Sequence, residues 1–323
     1  MSDPASIPVG PLGQAVSLND GGGLRTHGGG KGKQGANPLV VLRRTAFTTW
    51  TEDRCQSDDR AIRRLLHWAD QSNLGQDARL IARALARRTR SLRALADAGH
   101  TVVRLHARVQ WRLAAGVGAK DNAHEIGIAL HGTYGWPVLF ASGLKGMTAA
   151  WAAQYVSDTA AIGHVFGTPR PTGTQDRTPP ADSASEDARG AEDGSRARAS
   201  RGGVLFLDAL PIGVAPVERD VLTPHVQPYY RTAETNRTGE TVRAEPPAEH
   251  HNPVPVTFLT VRDATFTIDL AGRDAKAVHD AAAWLANAAD ELGAGAKTSA
   301  GYGYLHIEPD PDWRRDPAPC AKD

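Results

Sequence analysis

The chain has 323 residues, 41% of them hydrophobic, and its formal net charge is +1 at neutral pH. This length can bury one sizeable core or two modest ones. The two cysteines, Cys55 and Cys320, form neither a metal-binding pair nor a disulfide framework. The N-terminus has no signal-peptide pattern, and no apolar run reaches the roughly 20 residues that span a bilayer. We therefore expect a soluble, cytoplasmic protein rather than a secreted or membrane-spanning one.

The N-terminal third begins with a flexible segment and continues with helices. Residues 1–36 are rich in glycine and poor in large apolar side chains, which predicts a flexible arm. NPLVVLRRTAF, residues 37–47, predicts a short strand, and residues 58–98 have the apolar period of helices. Thirteen arginines and seven acidic residues lie within 51–112. This excess of positive charge predicts either a phosphate-binding surface or a set of solvated helix faces.

Residues 101–113 alternate strictly between apolar and polar side chains, which predicts a β-strand. The polar side carries Arg104, His106, Arg108, Gln110 and Arg112. We expect this strand to belong to a sheet that helices cover on one face only. Its three arginines would then line an open cationic face that binds an anion, although an ordinary solvated sheet face would give the same alternation.

The motif SGLKGM lies between a predicted short strand and a predicted helix over about 144–156, with Ser142 as the N-cap. The backbone amides at a helix N-terminus attract anions. The spacing therefore predicts an anion site formed by Gly143, Lys145 and Gly146. The motif is short, and a plain strand-to-helix turn would also produce it.

Two long polar stretches interrupt the second half of the chain. Residues 168–202 lack large aliphatic side chains, which predicts a disordered insertion, and residues of about 231–252 predict a long loop. Between and after these stretches the apolar pattern predicts strands, and Asp274 predicts the cap of a helix that ends near Leu292. A final strand is predicted at 302–307.

Without the insertions, the predicted order is strand, helix, strand, strand, helix, strand. This order predicts an α+β protein with a ferredoxin-like (RRM-like) domain, whose antiparallel sheet carries two helices on one face. We assign this domain to residues 101–310, with residues 37–100 as an N-terminal strand and helical extension. Residues 311–323 form a tail.

The segment GAGAKTSAGYGYL, residues 293–305, contains four glycines around Lys297 and Thr298. A nucleotide-hydrolysing P-loop follows a strand and opens a helix, and it has a glycine directly before its lysine. Here Ala296 precedes the lysine, and the segment follows a predicted helix. We therefore expect no nucleotide hydrolysis. The glycines can still bring backbone amides close to an anion, or they can form only a structural turn.

This glycine-rich segment follows SGLKGM, HVFG, LFLDALPI, DVLTPHVQPYY and PVPVTFLTV along the chain. Together these motifs, over about residues 101–308, resemble the RAMP superfamily of CRISPR proteins, and within it the sixth-subunit family of the type III-B (Cmr) effector complex. The resemblance implies a non-catalytic RNA-binding subunit of a ribonucleoprotein for antiviral defence, which caps its backbone near the 3′ portion of the guide RNA. The implied partners are guide RNA, target RNA and the other subunits: the repeated backbone subunit, the small subunit and the terminal RAMP subunit. No cofactor or metal is implied.

The resemblance also implies where guide RNA is contacted. The residues so implied are Gly143, Lys145, Gly146, Gly295, Lys297, Thr298, Gly301 and Tyr302. The alternation of residues 101–113 adds Arg104, Arg108 and Arg112 to this surface. His225, in TPHVQPYY, is expected either to contact RNA or a neighbouring subunit, or to make a structural hydrogen bond.

An RNA endonuclease is the alternative from another class, because some RAMP proteins cut guide precursors with a histidine as general base. His225 would supply the base and Lys145 or Lys297 the cation that such a metal-independent cut needs. Asp208 or Asp220 would otherwise play the part of a catalytic aspartate. The spacing of these residues does not require cleavage, and a cleavage assay with His225→Ala distinguishes the two classes.

Overall fold

The computed structural model describes residues 59–118, 126–168, 200–223 and 255–314, with shorter pieces before residue 58 and the single residues 246 and 253. These shorter pieces are residues 7–9, 16–18, 24–26, 37–44, 46–51 and 54–57. Most of the predicted flexible arm, the predicted insertion between 169 and 199, the predicted loop at 231–252 apart from Pro246, and His225 lie outside the described residues.

The described chain is a mixture of helices and antiparallel sheets. Its helices are α1 (Pro38–Arg44), α2 (Asp59–Gln71), α3 (Ala78–Asp97), α4 (Ala141–Tyr155), α5 (Thr159–Phe166) and α6 (Ala275–Glu291). Its strands are β1 (Ile7–Val9), β2 (Val16–Leu18), β3 (Leu24–Thr26), β4 (Ala46–Thr51), β5 (Arg54–Ser57), β6 (Thr101–Val109), β7 (Arg112–Leu113), β8 (Gly167–Thr168), β9 (Ser200–Arg201), β10 (Val204–Phe206), β11 (Leu210–Pro211), β12 (Val217–Leu222), β13 (Val256–Arg262), β14 (Thr265–Gly272) and β15 (Leu305–Pro309).

The main sheet has the strand order β10-β14-β6-β15, and every neighbouring pair is antiparallel. Along the chain, its elements follow as β6, α4, β10, β14, α6 and β15. The first and third strands of this series are therefore central, and the second and fourth lie at the edges. This is the strand order of the predicted ferredoxin-like arrangement.

Helices α4 and α6 pack together on one face of the main sheet. Alternate residues of β6, among them Leu105, Ala107 and Val109, are buried in the same hydrophobic cluster as Val278 and Leu285 of α6. The period-two pattern of the strand and the 3.6-residue period of the helix thus meet in one core. The opposite face is not left open, because α3 packs against β6 there.

The predicted strand 101–113 is two strands, β6 and β7, which belong to different sheets. The chain bends at Gln110 and Trp111, and β7 then pairs with β13 in a second sheet of order β12-β13-β7. The partner strands break at the same height, between β13 and β14, where Asp263 has a φ of 49°. The alternation of apolar and polar residues in the sequence continues across these two residues, so the pattern did not reveal the bend.

The predicted strand at 37–47 is wrong over most of its length, because residues 38–44 form α1. Asn37 caps this helix: its Oδ1 accepts a hydrogen bond from the backbone N–H of Leu39 at 3.0 Å. Pro38 follows at the first helical position, which its fixed φ favours. The cap and the proline outweigh the strand preference of the β-branched pair that follows.

The other helix predictions hold with small shifts. Helices α2 and α3 cover the region predicted helical, and Gly99 (φ +83°) follows the end of α3. The side chain of Asp274 accepts hydrogen bonds from the first turn of α6, as predicted, and Gly293 (φ +73°) follows its end. Ser142 is not the cap of α4: the helix begins at Ala141, whose N–H donates to Asp208 Oδ1 at 2.7 Å.

Candidate nucleic-acid interface

The motif 142–147 forms the first turns of α4 and is called the α4 motif below. Leu144 is buried in the core, whereas Gly143 and Gly146 are exposed. A Cβ atom added at either glycine would have no atom within 4 Å. A glycine inside a helix costs roughly 0.5–1 kcal/mol relative to alanine. Internal packing does not require these glycines, which leave bare helix backbone for a ligand to approach.

A cavity of about 160 Å³ lies against the α4 motif. Its lining includes Ser142 and Lys145 from α4, Arg201 from β9, and Leu205 from the edge strand β10. Two cations therefore face one concave surface beside the N-terminal turns of a fifteen-residue helix. Such a helix end favours anions, and a guanidinium matches the geometry of a phosphate group. Sequence reasoning missed Arg201 because it placed this residue in a disordered insertion.

Residues 293–303, called the glycine loop below, form a compact loop that is closed by backbone hydrogen bonds. Ala294 N–H donates to Gly303 O at 2.7 Å, and Gly303 N–H donates to Arg112 O at 2.7 Å. A Cβ atom at Gly295 would lie 2.6 Å from Ala114 O, and one at Gly303 would overlap Ala294 O. The folded backbone itself therefore requires glycine at both positions.

Gly301 and Lys297 lie on the outer part of the glycine loop. Gly301 has a φ of +91°, and the nearest atom to a Cβ there would be a Trp111 carbon at 4.0 Å. Lys297 adopts a left-handed conformation (φ +60°) directly before the short 3₁₀ helix Thr298–Ala300. Its Nζ lies 5.2 Å from the centroid of the Phe258 ring. This cation–π contact holds the ammonium group at a defined place on the loop.

Tyr302 anchors the glycine loop from the inside. Only 6% of the residue is exposed, and its hydroxyl donates to Asp220 Oδ2 at 2.7 Å. Its ring packs against Trp111 and Phe258, with centroid distances of 5.0 Å and 5.8 Å. Arg112 pairs with the same Asp220 carboxylate. The ring of Tyr302 therefore has no open face on which a nucleobase could stack.

Arg112, Glu218, Asp220 and Tyr302 form an ionic cluster, called the loop anchor below. Arg112 Nη2 lies 3.1 Å from Glu218 Oε2 in addition to its contact with Asp220. The charge of Arg112, predicted to face an open surface, is thus matched by two carboxylates. This internal pairing weighs against Arg112 as a contact for RNA.

The protonation of the loop anchor is fixed by its surroundings. Burial, followed by the hydrogen bond to Asp220, raises the pKa of Tyr302 to about 12. Burial opposes ionisation of Asp220, but the hydrogen bonds from Tyr302, Arg112 and the N–H of Val221 together hold the pKa of Asp220 below its usual value. At neutral pH the phenol is protonated and the carboxylate ionised. Asp220 therefore serves structure and is poorly suited to act as a general base.

Arg104 does not lie on an open face, which corrects that prediction. Only 7% of the residue is exposed. Its Nε donates to Asp269 Oδ1 at 2.7 Å, and its Nη1 donates to Thr89 Oγ1 of α3 at 2.9 Å. Arg88 of α3 also donates to Asp269, whose side chain is fully buried. The predicted alternation of β6 is therefore correct, but helix α3 and the buried carboxylate of Asp269 cover the polar face of the strand at Arg104.

Arg108 is the arginine of β6 that is exposed on the sheet face away from α4 and α6. Its surroundings carry both signs of charge: His106 Nε2 lies 3.3 Å from Asp310 Oδ2, and His306 Nε2 lies 3.0 Å from Glu308 Oε1. The prediction of a uniformly cationic face is therefore wrong, although Arg108 itself is accessible to an anion.

Two further residues have roles that the sequence did not indicate. The alternation of residues 101–113 puts Trp111 on the apolar side of the predicted strand, yet it is 50% exposed and its ring packs against that of Tyr302. Asp208, considered as a catalytic aspartate, accepts from the first N–H of α4, and its carbonyl oxygen accepts from Arg88. The side-chain carboxylate of Asp208 therefore holds α4 in place, and its backbone carbonyl holds α3.

The α4 motif and the glycine loop are joined through the helix layer. Trp151 Nε1 of α4 donates to Glu291 Oε2 at 3.0 Å, and Glu291 lies two residues before the glycine loop begins. Trp151 is six residues after Lys145, which is roughly 9 Å along a helix. The two motifs thus belong to elements that are in direct contact.

Two absences apply to the described part of the chain. None of its helices combines the length and the apolar character that a membrane crossing requires. Within the same residues, no group of three or more His, Cys, Asp or Glu side chains is arranged to hold a metal ion.

Comparison with known proteins agrees with the resemblance noted in the sequence. The family model described as "RAMP superfamily" matches residues 26–306. A curated relative, the CRISPR system Cmr subunit Cmr6 of Pyrococcus furiosus, is 39% identical over 110 residues. That alignment covers 32% of this chain and 30% of the relative, so the chain spans less than a third of the length of the relative it matches.

Among solved structures, a chain from a type III-B Cmr-beta complex bound to cognate target RNA aligns with a TM-score of 0.50 and 19% identity. The alignment covers 77% of this chain and 72% of that one. The crystal structure of Cmr6 from Pyrococcus furiosus aligns with a TM-score of 0.34 and 24% identity, over 65% of this chain and 99% of that one. The first of these two alignments shows a shared fold.

Proposed function

Because the chain belongs to the RAMP superfamily, we propose that it is a non-catalytic guide-RNA-binding subunit of a type III-B (Cmr) CRISPR effector complex. In this proposal the subunit caps the backbone of the complex near the 3′ portion of the guide. Its partners are the guide RNA, the target RNA and the neighbouring protein subunits, and its site of action is the cytoplasm. The RAMP domain spans residues 101–310, with residues 37–100 as an extension.

The observation that carries the proposal is the surface of the α4 motif. Two exposed glycines that packing does not require lie on either side of Lys145 in the sequence, and Lys145 and Arg201 line one cavity. Bare helix backbone next to two cations suits the close approach of a phosphodiester. In this proposal the RNA-binding surface also includes three residues of the glycine loop, Lys297, Thr298 and Gly301. Arg108 adds an exposed cation on the face of the main sheet away from α4 and α6.

The relatives support the assignment to this complex. The curated relative carries the name of a Cmr subunit, and the structural relative with a TM-score of 0.50 comes from a Cmr-beta complex bound to target RNA. RNA of any sequence presents the same phosphate backbone, so a surface of this kind holds a guide whatever its sequence.

The non-catalytic assignment is supported by the use of the candidate aspartates. The Asp208 carboxylate caps α4, and the Asp220 carboxylate is shared by Tyr302 and Arg112. A catalytic base needs a lone pair directed at the substrate and an accessible position. His225, the candidate base of the endonuclease alternative, lies outside the described residues, and no described contact favours that function.

The experiment that tests the proposal measures binding of the full chain to labelled single-stranded RNA over a series of salt concentrations. We expect Lys145→Gln to weaken binding of all sequences alike and to reduce the slope of log K against log salt by about 0.7, the value for one phosphate contact on a single strand. Lys276→Gln is the matched control, because Lys276 is exposed but paired with Asp280. An unchanged slope for Lys145→Gln would remove the α4 motif from the site.

A second measurement addresses assembly and catalysis. The chain is co-expressed with the other Cmr subunits and purified, and the RNA that accompanies it is sequenced. We expect guide RNA in the wild-type preparation and no cleavage of guide–target duplex by the isolated chain. Metal-independent cleavage that His225→Ala abolishes would establish the endonuclease instead.

A further inference from the structure

A second, larger cavity also lies against the edge strand β10. Its volume is about 350 Å³, and it lies where the ends of α3, α5 and β14 meet the beginning of α6. Its lining includes Leu95, His164, Arg201, Leu205, Arg273 and Asp274. Arg201, Gly202, Val204 and Leu205 also line the cavity beside Lys145. The two cavities therefore share β10 and the residues before it as a common wall, and together they are called the edge groove below.

The walls of the larger cavity are mostly apolar. Leu95, Val204, Leu205 and Ala271 contribute hydrocarbon surface, and three glycines contribute only main chain. Gly202 cannot carry a side chain, because its Cβ would overlap Val165 O. A cavity of this volume lies at the small end of the range for ligand sites, which are typically apolar with a few polar groups. Its size suits one heterocyclic ring with a sugar.

The polar groups of the larger cavity are mainly cationic. Arg201 and Arg273 are both exposed, and neither forms an ion pair within the described ranges of the chain. The carboxylate of Asp274 is already used, since it accepts from Lys276 N–H and Ala277 N–H and lies 3.0 Å from His164 Nε2. Two guanidinium groups that form no ion pair with a described carboxylate, beside an apolar cavity, favour a ligand that is both anionic and apolar.

We infer that the larger cavity binds one nucleotide, with its base against the apolar walls and its phosphate at Arg273 and Arg201. Because Arg201 lines both cavities, it lies between this nucleotide and the phosphate that Lys145 would hold, so consecutive nucleotides of one strand fit the edge groove. This inference rests on the proposed function for the identity of the strand. An acidic peptide would satisfy the arginines but would leave the apolar walls unfilled, which favours a nucleotide.

The test uses the full chain and a single-stranded RNA that carries one 2-aminopurine, a base whose fluorescence rises when it leaves its stacked neighbours. We expect binding to raise the fluorescence of 2-aminopurine at one position of the RNA. Arg273→Gln is expected to remove this rise and to weaken binding several-fold, with a loss of salt slope of about 0.7. Arg83→Gln, an exposed arginine on the outer side of α3, is the matched control.

The outcomes separate this inference from the proposed function. If Lys145→Gln weakens binding while Arg273→Gln and Arg201→Gln leave both signals unchanged, the proposed function stands and the nucleotide cavity is wrong. If Lys145→Gln also has no effect, the proposed function fails as well. A parallel titration with adenosine and uridine 5′-monophosphates shows whether the cavity binds a nucleotide of an RNA strand or a free nucleotide. Saturable binding of a monophosphate that Arg273→Gln abolishes, without any change in RNA fluorescence, would assign the cavity to a free nucleotide.

Discussion

The α4 motif and the glycine loop are both rich in glycine, but the structure explains their glycines in opposite ways. In the glycine loop, Gly295 and Gly303 have positive φ values, and a side chain at either would collide with main-chain oxygen. In the α4 motif, Gly143 and Gly146 lie in regular helix with open space where a side chain would stand. The fold requires the first pair. The second pair weakens the helix without serving its packing.

The α4 motif is therefore a stronger indication of a ligand than the glycine loop. The glycine loop is the more conspicuous motif, yet its glycines and Tyr302 are used to close the loop onto β7 and the loop anchor. The α4 motif is shorter, but no contact within the described part of the chain accounts for its two glycines. A feature that costs stability and has no internal role points to a function outside the molecule.

Of the two arginines of β6, the fold requires Arg104 but not Arg108, and this contrast gives the largest expected effect on stability. Arg104→Ala leaves the fully buried Asp269 without its closest cationic partner, so we expect the free energy of unfolding to fall by about 3–5 kcal/mol. Arg108→Ala, on the same face of the same strand, is expected to change it by less than about 0.5 kcal/mol. Urea denaturation of both variants measures the difference. An equal loss in the free energy of unfolding for both variants would mean that Arg104 does not stabilise the fold more than Arg108 does.

The next effect tests the glycine loop. Gly303→Ala combines a left-handed φ of +82° with an overlap against Ala294 O, so we expect a loss of about 2–4 kcal/mol in the free energy of unfolding. Gly301→Ala keeps the strain of a positive φ but meets no close atom, and it should cost about 1 kcal/mol. Thermal and urea unfolding compare the two. A Gly303→Ala protein as stable as Gly301→Ala would show that the loop relaxes freely.

A smaller effect follows from the raised pKa of Tyr302. A phenol whose pKa is about 12 in the folded chain and about 10 in the unfolded chain stabilises the fold fully below pH 10, and this contribution is lost as the pH rises towards 12. Tyr302→Phe removes the hydrogen bond to Asp220 and should cost about 1–2 kcal/mol at neutral pH. The difference in stability between wild type and variant should therefore shrink between pH 10 and pH 12. A constant difference across this range would contradict the assignment.

The smallest change in stability is expected at the α4 motif, with the opposite sign. Gly143→Ala and Gly146→Ala should each raise the free energy of unfolding by roughly 0.5–1 kcal/mol, because alanine favours helix and meets no obstacle. The same variants should weaken RNA binding, since a methyl group then separates the phosphate from the helix. Gly163→Ala in α5 is the control: its position is equally open, so it should stabilise the chain without affecting RNA. Stabilised variants with unchanged RNA affinity would remove the two glycines from the interface.

Much of the fold could be predicted because its signals are local. The Asp274 cap, the apolar stripe of α6 and the alternation in β6 each depend on residues within one element. The order of these elements was enough to indicate a ferredoxin-like sheet. Local reasoning failed at residues 38–44, where the Asn-Pro start of α1 outweighed a short apolar run that suggested a strand.

The site was predicted less completely, because binding surfaces join residues that are distant in sequence. Lys145 was found from its motif, but Arg201 reaches the same cavity from the end of a polar stretch that was set aside as disordered. Tyr302 and Arg112 were expected to contact RNA, yet each is engaged by Asp220, which lies far from both along the chain. No pattern in the sequence specifies such pairings.

The elements, their order and the family could be inferred from the sequence alone, because helix caps, periodicity and short motifs are encoded in neighbouring residues. Which of the candidate residues are accessible became evident only from the folded chain. Arginines at alternate positions of one run can be buried against an aspartate, exposed, or paired in a cluster, as Arg104, Arg108 and Arg112 are. The physical reason is that the environment of a charge depends on what packs against it, and α3, β12 and β14 come from other parts of the chain.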